Sequence, residues 1–404
     1  MTFSRHPLKR VFLILCIALF IWTYPGEIQA REKRLGIPCA TGGNEGESEN
    51  ISMPQEWEGV EKYWSELQEE MDEFLPAWQI GEIWEGEGSG TIPYKEFCRG
   101  LGRYLLAEVV DNLGLLGQLL FLAVAAALLK SLQGAFSQEE VARLTEAVAF
   151  FVLLGLALKS FTLVVETGRS TVGSMVDFML ALLPVLFTLL ASLGHITLVT
   201  LFHPFIIFAV HFIASLVSNV IFPLIFCSTI LYLANHLSSH FKINRLADFF
   251  RDCSIFGLGL LLTLFIGLMT IQGVAGGIGD AIALRTAKFL TGAIIPVVGG
   301  ILTDTVETVV SYSLLIKNGA TIAGLIILAL MVIFPLLKIL ALVAVYKFCG
   351  AIIQPLGETT LGETLQTMSE SLTLIFAAVA TVALVFFIGI AMLIGASNAT
   401  VMLR

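Results

Sequence analysis

The chain has 404 residues, of which 56% are hydrophobic and 14% are charged, and its mean hydropathy is +0.87. An average soluble domain is about 45–50% apolar and about 25% charged. This composition therefore excludes an ordinary soluble enzyme, a disordered chain and a nucleic-acid-binding protein. The net charge of −9 is unevenly distributed, because residues 31–100 carry 16 acidic and 6 basic side chains whereas residues 101–404 carry 15 and 14. The chain divides into an acidic segment and a membrane domain.

The N-terminus has the pattern of a secretory signal peptide over residues 1–30. Three basic residues precede the apolar run 11–22, and the small residue Ala30 follows it. These are the parts of a cleavable signal peptide. The twelve apolar residues give about 18 Å of helix, which is too short for a hydrocarbon layer of ~30 Å. The sequence therefore favours cleavage after Ala30 over an uncleaved anchor, and both interpretations place the following segment outside the cytoplasm.

The acidic segment 31–100 is predicted to contain an amphipathic helix over 54–75. Its apolar positions follow a narrow stripe of the coiled-coil type, and its other faces are mostly acidic. Tryptophan is enriched at binding hot spots, and so short a segment has little core of its own in which to bury tryptophans. The sequence therefore favours docking on another protein over packing within the segment. The candidate docking residues are Trp57, Trp64, Leu67 and Met71.

The membrane domain 101–404 is predicted to be an all-α polytopic bundle of about 8–10 spans, each near the ~20 residues that a crossing needs. Pro184, Pro223 and Pro335 lie centrally in apolar runs and predict kinks, because proline removes a helix hydrogen bond. The basic loop 238–252 falls on the cytoplasmic side after five spans, in agreement with the positive-inside rule. The predicted spans are 113–133, 147–166, 175–194, 197–217, 219–237, 253–272, 319–336, 337–356 and 371–396.

The segment 273–318 is uncertain, because glycines and charged residues bracket a short apolar stretch around Pro296. It resembles a re-entrant or broken helix, which survives at membrane depth only inside protein or beside a wet cavity. An external loop with a surface helix is an equally good interpretation. In the first case Lys288, Asp304 and Glu307 are candidate residues of a conduit or of a transport site.

Two lysines lie deep within predicted spans, Lys159 and Lys338. Ionisable residues inside a membrane are costly and are functional candidates by default. Each lysine belongs either to a buried ion pair or to a polar conduit.

The sequence predicts no catalytic, cofactor-binding or metal-binding residues. The motif Gly277-Ile-Gly-Asp280 matches the pattern of intramembrane aspartyl proteases. Those enzymes need a second carboxylate that shares a proton, and the motif follows an apolar run instead of lying within one, so a protease is disfavoured. Cys39 and Cys98 lie in the external segment, and the sequence leaves open whether they pair.

Several motifs of the membrane domain, in order and spacing, resemble the stage III sporulation protein AE family of endospore-forming bacteria. The resemblance covers almost all of the membrane domain and is weakest in the acidic segment. It is carried by Leu113-Gly-Leu-Leu-Gly117, Asp177-Phe-Met-Leu-Ala-Leu-Leu-Pro184, Leu201-Phe-His-Pro204, Leu284-Arg-Thr-Ala-Lys-Phe289, Ile295-Pro-Val-Val-Gly299, Thr303-Asp304 and Ile353-Gln-Pro-Leu-Gly357.

The resemblance implies a protein that the mother cell makes and places in the outer membrane around the forespore. There it would join a channel or secretion-like complex with the other membrane proteins of its operon and a forespore-made partner across the intermembrane space. The expected role is that of a scaffold or a conduit for late forespore development, and not that of an enzyme. The alternative is a secondary transporter with a broken-helix site near Pro296.

Overall fold

The computed structural model describes Lys62, Tyr63 and Ser65 and the ranges 94–136, 139–237, 243–294, 299–356 and 359–402. This described part of the chain is helical and contains no strand. A short π-helical segment, Val217–Ile221, joins two of the helices, and a 3-10 turn, Gln354–Leu356, follows another. The α-helices are α1 (Tyr94–Asp111), α2 (Leu113–Phe136), α3 (Glu139–Ser192), α4 (Ile196–Leu216), α5 (Phe222–Leu237), α6 (Asn244–Ile294), α7 (Gly299–Ile353) and α8 (Thr359–Met402).

The apolar helices confirm an all-α polytopic membrane protein, with fewer and longer spans than the sequence predicts. Among the described helices, five stretches are long and apolar enough to cross a membrane, or six if the bent pair Arg99–Asp111 and Leu113–Ala126 counts as one span. At 1.5 Å per residue these stretches measure about 50–70 Å, more than the ~30 Å hydrocarbon layer. They are Ala147–Ser192, Ile196–Asn235, Asn244–Ala283, Thr321–Ile353 and Thr360–Ala396.

Pairs of predicted spans belong to single continuous helices, so the described residues give five or six candidate spans where the sequence predicts about 8–10. The predicted spans 147–166 and 175–194 both lie in α3 apart from the last residues, and the spans that begin at 319 and 337 share α7. The polar interval 166–174 breaks a run of hydropathy, but it contains no proline and its residues continue the helix. The drop in hydropathy over 166–174 therefore suggests two spans, although the backbone hydrogen bonds of α3 continue through this interval.

The uncertain segment 273–318 is largely helical in the structure. Its first part continues α6 to Ile294, and its last part begins α7 at Gly299. The glycine-rich stretch after Gly273 is thus not a loop. Pro296 lies outside the described residues, and so do the other residues between these two helices.

The helices pack in layers, with α8 at the centre of the bundle. α8 contacts α3, α4, α5, α6 and α7, and no large apolar side chain of α8 whose burial is described is exposed. α6 forms one outer layer against α4, α5 and α8, and α1 and α2 pack on α7 from the other direction. Fully buried aromatic side chains such as Phe161, Phe222 and Phe386 fill the core between the layers.

Glycines allow α6 to approach α4 unusually closely. A Cβ atom on Gly276 would lie 3.1 Å from the Cα atom of Leu198, and one on Gly279 would lie 2.7 Å from Cγ2 of Thr197. Small residues at such interfaces let two helix backbones approach, which is how membrane helices gain packing energy without a hydrophobic driving force. The two glycines therefore set the distance between α4 and α6.

We predict that Gly276→Val destabilises the bundle, because the larger side chain must push α4 away from α6. Overpacking of this kind typically costs about 1–3 kcal/mol. Gly267→Val is the matched control, since the same helix carries Gly267 with open space around its Cβ position. Thermal unfolding of the detergent-solubilised protein measures both variants, and an equal midpoint for the two would contradict the close approach.

Candidate functional site

The turn between α3 and α4 leaves the start of α4 without a cap of its own. α3 ends at Ser192, Gly194 adopts a left-handed φ of +85°, and His195 is the N-cap residue of α4. The His195 side chain makes no capping hydrogen bond to its own helix. The first backbone N–H groups of a helix have no partner within the helix, so inside an apolar bundle they need one from elsewhere.

Asp280 of α6 supplies that partner from across the helix interface. Its Oδ1 accepts a hydrogen bond from the backbone N–H of Thr197 at 2.8 Å, and its Oδ2 lies 3.4 Å from the backbone nitrogen of Leu198. Nδ1 of His195 lies 3.4 Å from Oδ2 of the same carboxylate. Asp280 and His195 are 4% and 5% exposed, so the whole group is buried. A carboxylate is favoured there because the N-terminus of a helix carries partial positive charge.

This geometry gives Asp280 the role of a helix cap. Both of its oxygens point to backbone amides of α4, and the motif 277–280 is helical. Among the described residues whose burial is known, Asp280 is the one buried carboxylate. Aspartyl-protease chemistry needs a second carboxylate that shares a proton, and no second buried one occurs among these residues.

A second interhelical contact supplies a hydrogen-bond donor that the helix lacks at Pro223. The backbone N–H of Phe222 bonds to the carbonyl of Val217, five residues earlier, in the π-helical manner. The next bond in this register would join residue 223 to the carbonyl of Ser218, but proline has no N–H to donate. Nη2 of Arg169 in α3 lies 3.3 Å from that carbonyl oxygen and donates to it. Arg169 thus takes the place of the missing backbone donor.

The packing around this contact is tight. A Cβ atom on Gly168 would lie 3.1 Å from Cζ of Phe222 and 3.3 Å from Cγ2 of Val379 in α8. The interval 166–174 of α3 is therefore the place where α3, the π segment and α8 meet. Sequence reasoning missed it, although an arginine within a long apolar stretch and a proline some fifty residues later were the available signals.

A small polar cleft lies between α5, α6 and α8, near the end of the bundle where α5 ends and α6 begins. Nη1 of Arg251 lies 3.1 Å from Oε2 of Glu370, and the hydroxyl of Tyr232 donates to Asp248. The cleft encloses about 50 Å³, which suffices for a few water molecules and not for an organic solute. Its lining residues are Ile225, Ser228, Thr229, Tyr232, Arg251, Thr367, Glu370, Ser371 and Leu374.

The predicted conduit residues are not brought together where the structure describes them. Nζ of Lys338 in α7 lies 4.0 Å from Oε1 of Glu108 in α1, next to a perpendicular ring contact between Tyr104 and Phe334. Lys338 is thus part of the attachment of α1 to α7. Lys159 lies on α3 with its side chain exposed.

The remaining predicted residues stay predictions. Lys288 belongs to α6, and Asp304 and Glu307 belong to α7, but their side chains lie outside the description. Pro296 and the docking residues also lie outside the described residues. The docking residues are Trp57, Trp64, Leu67 and Met71. Within the predicted helix 54–75, Tyr63 packs edge-on against Phe178 of α3, with ring centroids 5.7 Å apart.

One exposed face of α3 carries charge instead of apolar side chains, and we call it the polar face. Between residues 164 and 195, all of which are described, no large apolar side chain is exposed. Lys159, Glu166 and Asp177 are each exposed, and they share a face because seven and eleven residues are close to whole numbers of helical turns. Leu163, which lies between Lys159 and Glu166 on the same side of the helix, is also exposed, so the polar face consists of Glu166, Arg169, Ser170, Gly173 and Asp177.

The fold and these contacts define a multi-pass helical membrane protein. The family model "Stage III sporulation protein AE" matches residues 80–397. Stage III sporulation protein AE of Bacillus subtilis (strain 168) is 37% identical over 358 residues, which cover 88% of this chain and 90% of that protein. The chain therefore belongs to the stage III sporulation protein AE family and has a role in sporulation, as the sequence motifs predict. No solved structure matches it significantly.

We predict that Asp280→Ala lowers the stability of the protein, because the buried N–H groups at the start of α4 lose their acceptor. Loss of a helix cap typically costs about 0.5–2 kcal/mol. Asp280→Asn should retain most of the stability, since the amide oxygen still accepts a hydrogen bond. The exposed Asp252 of the same helix offers the control Asp252→Ala, and thermal unfolding in detergent compares the three variants. An Asp280→Ala protein as stable as the control would reject the cap.

We also predict that Arg169 and Pro223 are energetically coupled. Arg169→Met should destabilise the native protein by about 1 kcal/mol, the usual net value of a hydrogen bond. In a Pro223→Ala background the same change should cost less, because residue 223 regains an N–H that can serve the carbonyls of the π segment. A double-mutant cycle on unfolding midpoints measures the coupling, and additive effects would show that Arg169 does not replace the proline's missing donor.

Proposed function

We propose that this protein is a membrane component of a sporulation-specific channel complex that links mother cell and forespore. It acts as a scaffold or as part of a conduit for late forespore development, and it does not act as an enzyme. Its partners are the other membrane proteins of the stage III sporulation A operon and a forespore-made protein across the intermembrane space. Membership of the stage III sporulation protein AE family supports a place among the sporulation proteins.

The packed interior of the bundle carries the proposal. Aromatic and aliphatic side chains fill the space around α8, and the polar cleft beside α5 holds only about 50 Å³. A transporter that carries its solute through one chain needs polar groups that converge on a site near the bilayer midplane. Here the one buried carboxylate among the residues of described burial, Asp280, is engaged as a helix cap. Function through assembly with other chains fits this interior better than transport through a single chain.

The proposed location is the mother-cell membrane that surrounds the forespore, with residues 31–100 outside the cytoplasm. The bent pair, Ala147–Ser192 and Ile196–Asn235 give three candidate spans before the connection from α5 to α6. A chain that starts outside the cytoplasm ends inside after an odd number of spans. Three spans and the predicted five are both odd, so both counts put this connection on the cytoplasmic side. Arg245 and Arg251 lie in the first turns of α6 on that side, as the positive-inside rule requires.

The acidic helix is the proposed contact with partners outside the cytoplasm. Tyr63, which does not belong to the predicted apolar stripe, packs on Phe178 of α3. This contact supports attachment of the acidic helix to the membrane domain through residues other than those proposed for docking. The negative charge of the helix opposes binding to anionic lipid headgroups and favours a protein partner.

We predict that the double variant Trp57→Ala and Trp64→Ala loses co-purification with the partner proteins while it still inserts into the membrane. Truncating a buried interface tryptophan commonly costs 2 kcal/mol or more, so two such losses should reduce recovery by about a hundredfold or more. The measurement is affinity purification of the full-length chain from sporulating cells, with partners identified by mass spectrometry.

The matched control is Trp78→Ala with Trp84→Ala, which removes two tryptophans of the same acidic segment outside the predicted helix. The control variant should keep its partners and support spore formation. Full recovery of partners with the first double variant would reject the docking helix. Normal sporulation in a strain without the protein would reject the proposed function as a whole.

A further inference from the structure

The acidic helix predicted over 54–75 touches the membrane domain at a described contact. Tyr63 is half-buried, and its ring packs edge-on against Phe178 of α3 with centroids 5.7 Å apart. Phe178 follows Asp177 of the polar face but is itself fully buried, and Tyr63 packs against the hydrophobic core to which Phe178 belongs. The core of the membrane domain therefore extends to the acidic segment.

Two described neighbours of Tyr63 show which side of this helix faces away from the membrane domain. Lys62 and Ser65 are helical and exposed, and the Ser65 hydroxyl donates a hydrogen bond to the backbone carbonyl of Lys62 at 2.9 Å. In an α-helix these two side chains point about 100° and 160° from Tyr63 in the same rotational sense. The side opposite to them lies about 50° from Tyr63 in the other sense, and it is the side turned toward the membrane domain.

The apolar stripe of the predicted helix consists largely of two rows in which residues recur every seven positions. Seven residues are close to two helical turns, so each row runs along one line of the helix. The tryptophan row is Trp57, Trp64 and Met71, and the leucine row is Val60, Leu67 and Phe74. The two rows lie about 60° apart around the helix axis.

On the predicted helix, the leucine row lies on the side that faces the membrane domain. Its three positions are about 20–60° from Tyr63, close to the direction opposite to Lys62 and Ser65. The tryptophan row is about 80–120° from Tyr63, at the edge of the helix beyond the leucine row. The described contact thus distinguishes two rows that the sequence alone joins in one stripe.

The contact at Tyr63 is not imposed by the connection of the acidic helix to α1. α1 begins at Tyr94, so 18 residues separate it from the end of the predicted helix at residue 75. A connection of this length reaches up to about 60 Å when extended. Packing must therefore hold the helix on α3, and a single half-buried ring buries little apolar area. The leucine row is the apolar surface next to Tyr63 that can supply the rest.

We propose that the leucine row packs on the membrane domain beside Phe178, and that the tryptophan row binds the protein partner outside the cytoplasm. The inference rests on the proposed function and assigns its docking surface to one edge of the acidic helix. Of the four predicted docking residues, Leu67 then belongs to the internal contact, whereas Trp57, Trp64 and Met71 contact the partner. Because the membrane domain already holds the helix in place, less ordering is needed when the partner binds.

The residues beside the tryptophan row specify the chemistry of the partner surface. On the predicted helix, Glu61, Glu58 and Asp72 lie next to this row on the side away from the leucine row. Charges across an interface are arranged to be complementary. The partner therefore presents an apolar groove for the tryptophans, and lysine or arginine side chains border that groove.

Reaction rates of introduced cysteines test this assignment in the full-length chain. Leu67→Cys probes the leucine row, Met71→Cys the tryptophan row and Ser65→Cys the exposed side. A charged thiosulfonate is the reagent, and mass spectrometry quantifies the product at each position, so the native cysteines stay in place. Each variant is measured as the detergent-solubilised chain alone. It is also measured in membranes of sporulating cells with and without the other stage III sporulation A proteins.

In the chain alone, Leu67→Cys should react at least about 10-fold more slowly than Ser65→Cys, because the reagent must wait until the buried contact opens. Met71→Cys should react nearly as fast as Ser65→Cys, and it should become slow only in membranes that contain the other proteins. Adding Tyr63→Ala should remove the protection of Leu67→Cys, whereas the matched control Lys62→Ala should leave it unchanged.

Equal rates at residues 65 and 67 in the chain alone would overturn the internal contact, and equally slow reaction at residues 67 and 71 would overturn the division into two rows. Both results would leave the proposed function standing, provided that the double variant of Trp57 and Trp64 still loses its partners. A rate at residue 71 that does not change when the other proteins are present would instead reject docking through the tryptophan row, whatever the rate at residue 67.

Discussion

The need to pair every backbone polar group in an apolar surrounding shapes this bundle more than any other constraint. A buried amide or carbonyl without a partner costs several kcal/mol in lipid, and helices meet the need for most of the chain. Among the described residues, the first turn of α4 and the Ser218 carbonyl, which Pro223 leaves without a backbone donor, are two places that need another partner. Side chains of neighbouring helices close both, Asp280 from α6 and Arg169 from α3. Asp280, which the sequence marks as a possible protease residue, therefore serves the helix backbone.

These repairs give polar residues within the bundle a structural role. Asp280 and His195 form a buried polar group of the kind that marks active sites in many enzymes, yet both carboxylate oxygens point to backbone amides. Other charged side chains, such as Glu166 and Asp177 of α3, lie on the outside. The distribution suits a component that works within a larger assembly, since apolar side chains fill the interior.

The sequence predicts the class of fold well, but it predicts the number and boundaries of the helices poorly. Composition and apolar runs suffice for an all-α membrane protein, and short motifs from Leu113 to Gly357 suffice for the family. Span number failed because hydropathy reads the polar interval 166–174 as a break, whereas a helix ends only where hydrogen bonding ends. For the glycines before Asp280 the sequence leaves a broken helix and an external loop equally open, whereas in the structure they belong to α6 and contact α4 closely.

The candidate site was harder to predict for a different reason. The partner of Asp280 lies 83 positions away at Thr197, and Arg169 acts on a carbonyl 49 positions away. The spacing of residues within one helix cannot reveal contacts between residues so far apart in the sequence. The repeat of glycine at every third position from 273 to 279 was the available sign that another backbone lies close. The position of Lys338 near Glu108 of α1 has no such local sign.

The cap on α4 has a mechanical corollary. Axial sliding of α6 past α4 by a single turn, about 5.4 Å, would strip both amides of their acceptor and drive the glycines out of register with Leu198. No other carboxylate of α6 can take over, since the next acids on this helix, Asp252 and Asp248, lie about eight and nine turns away. α4 and α6 therefore move together, and any sliding or rotation between helices of this bundle has to occur at other interfaces.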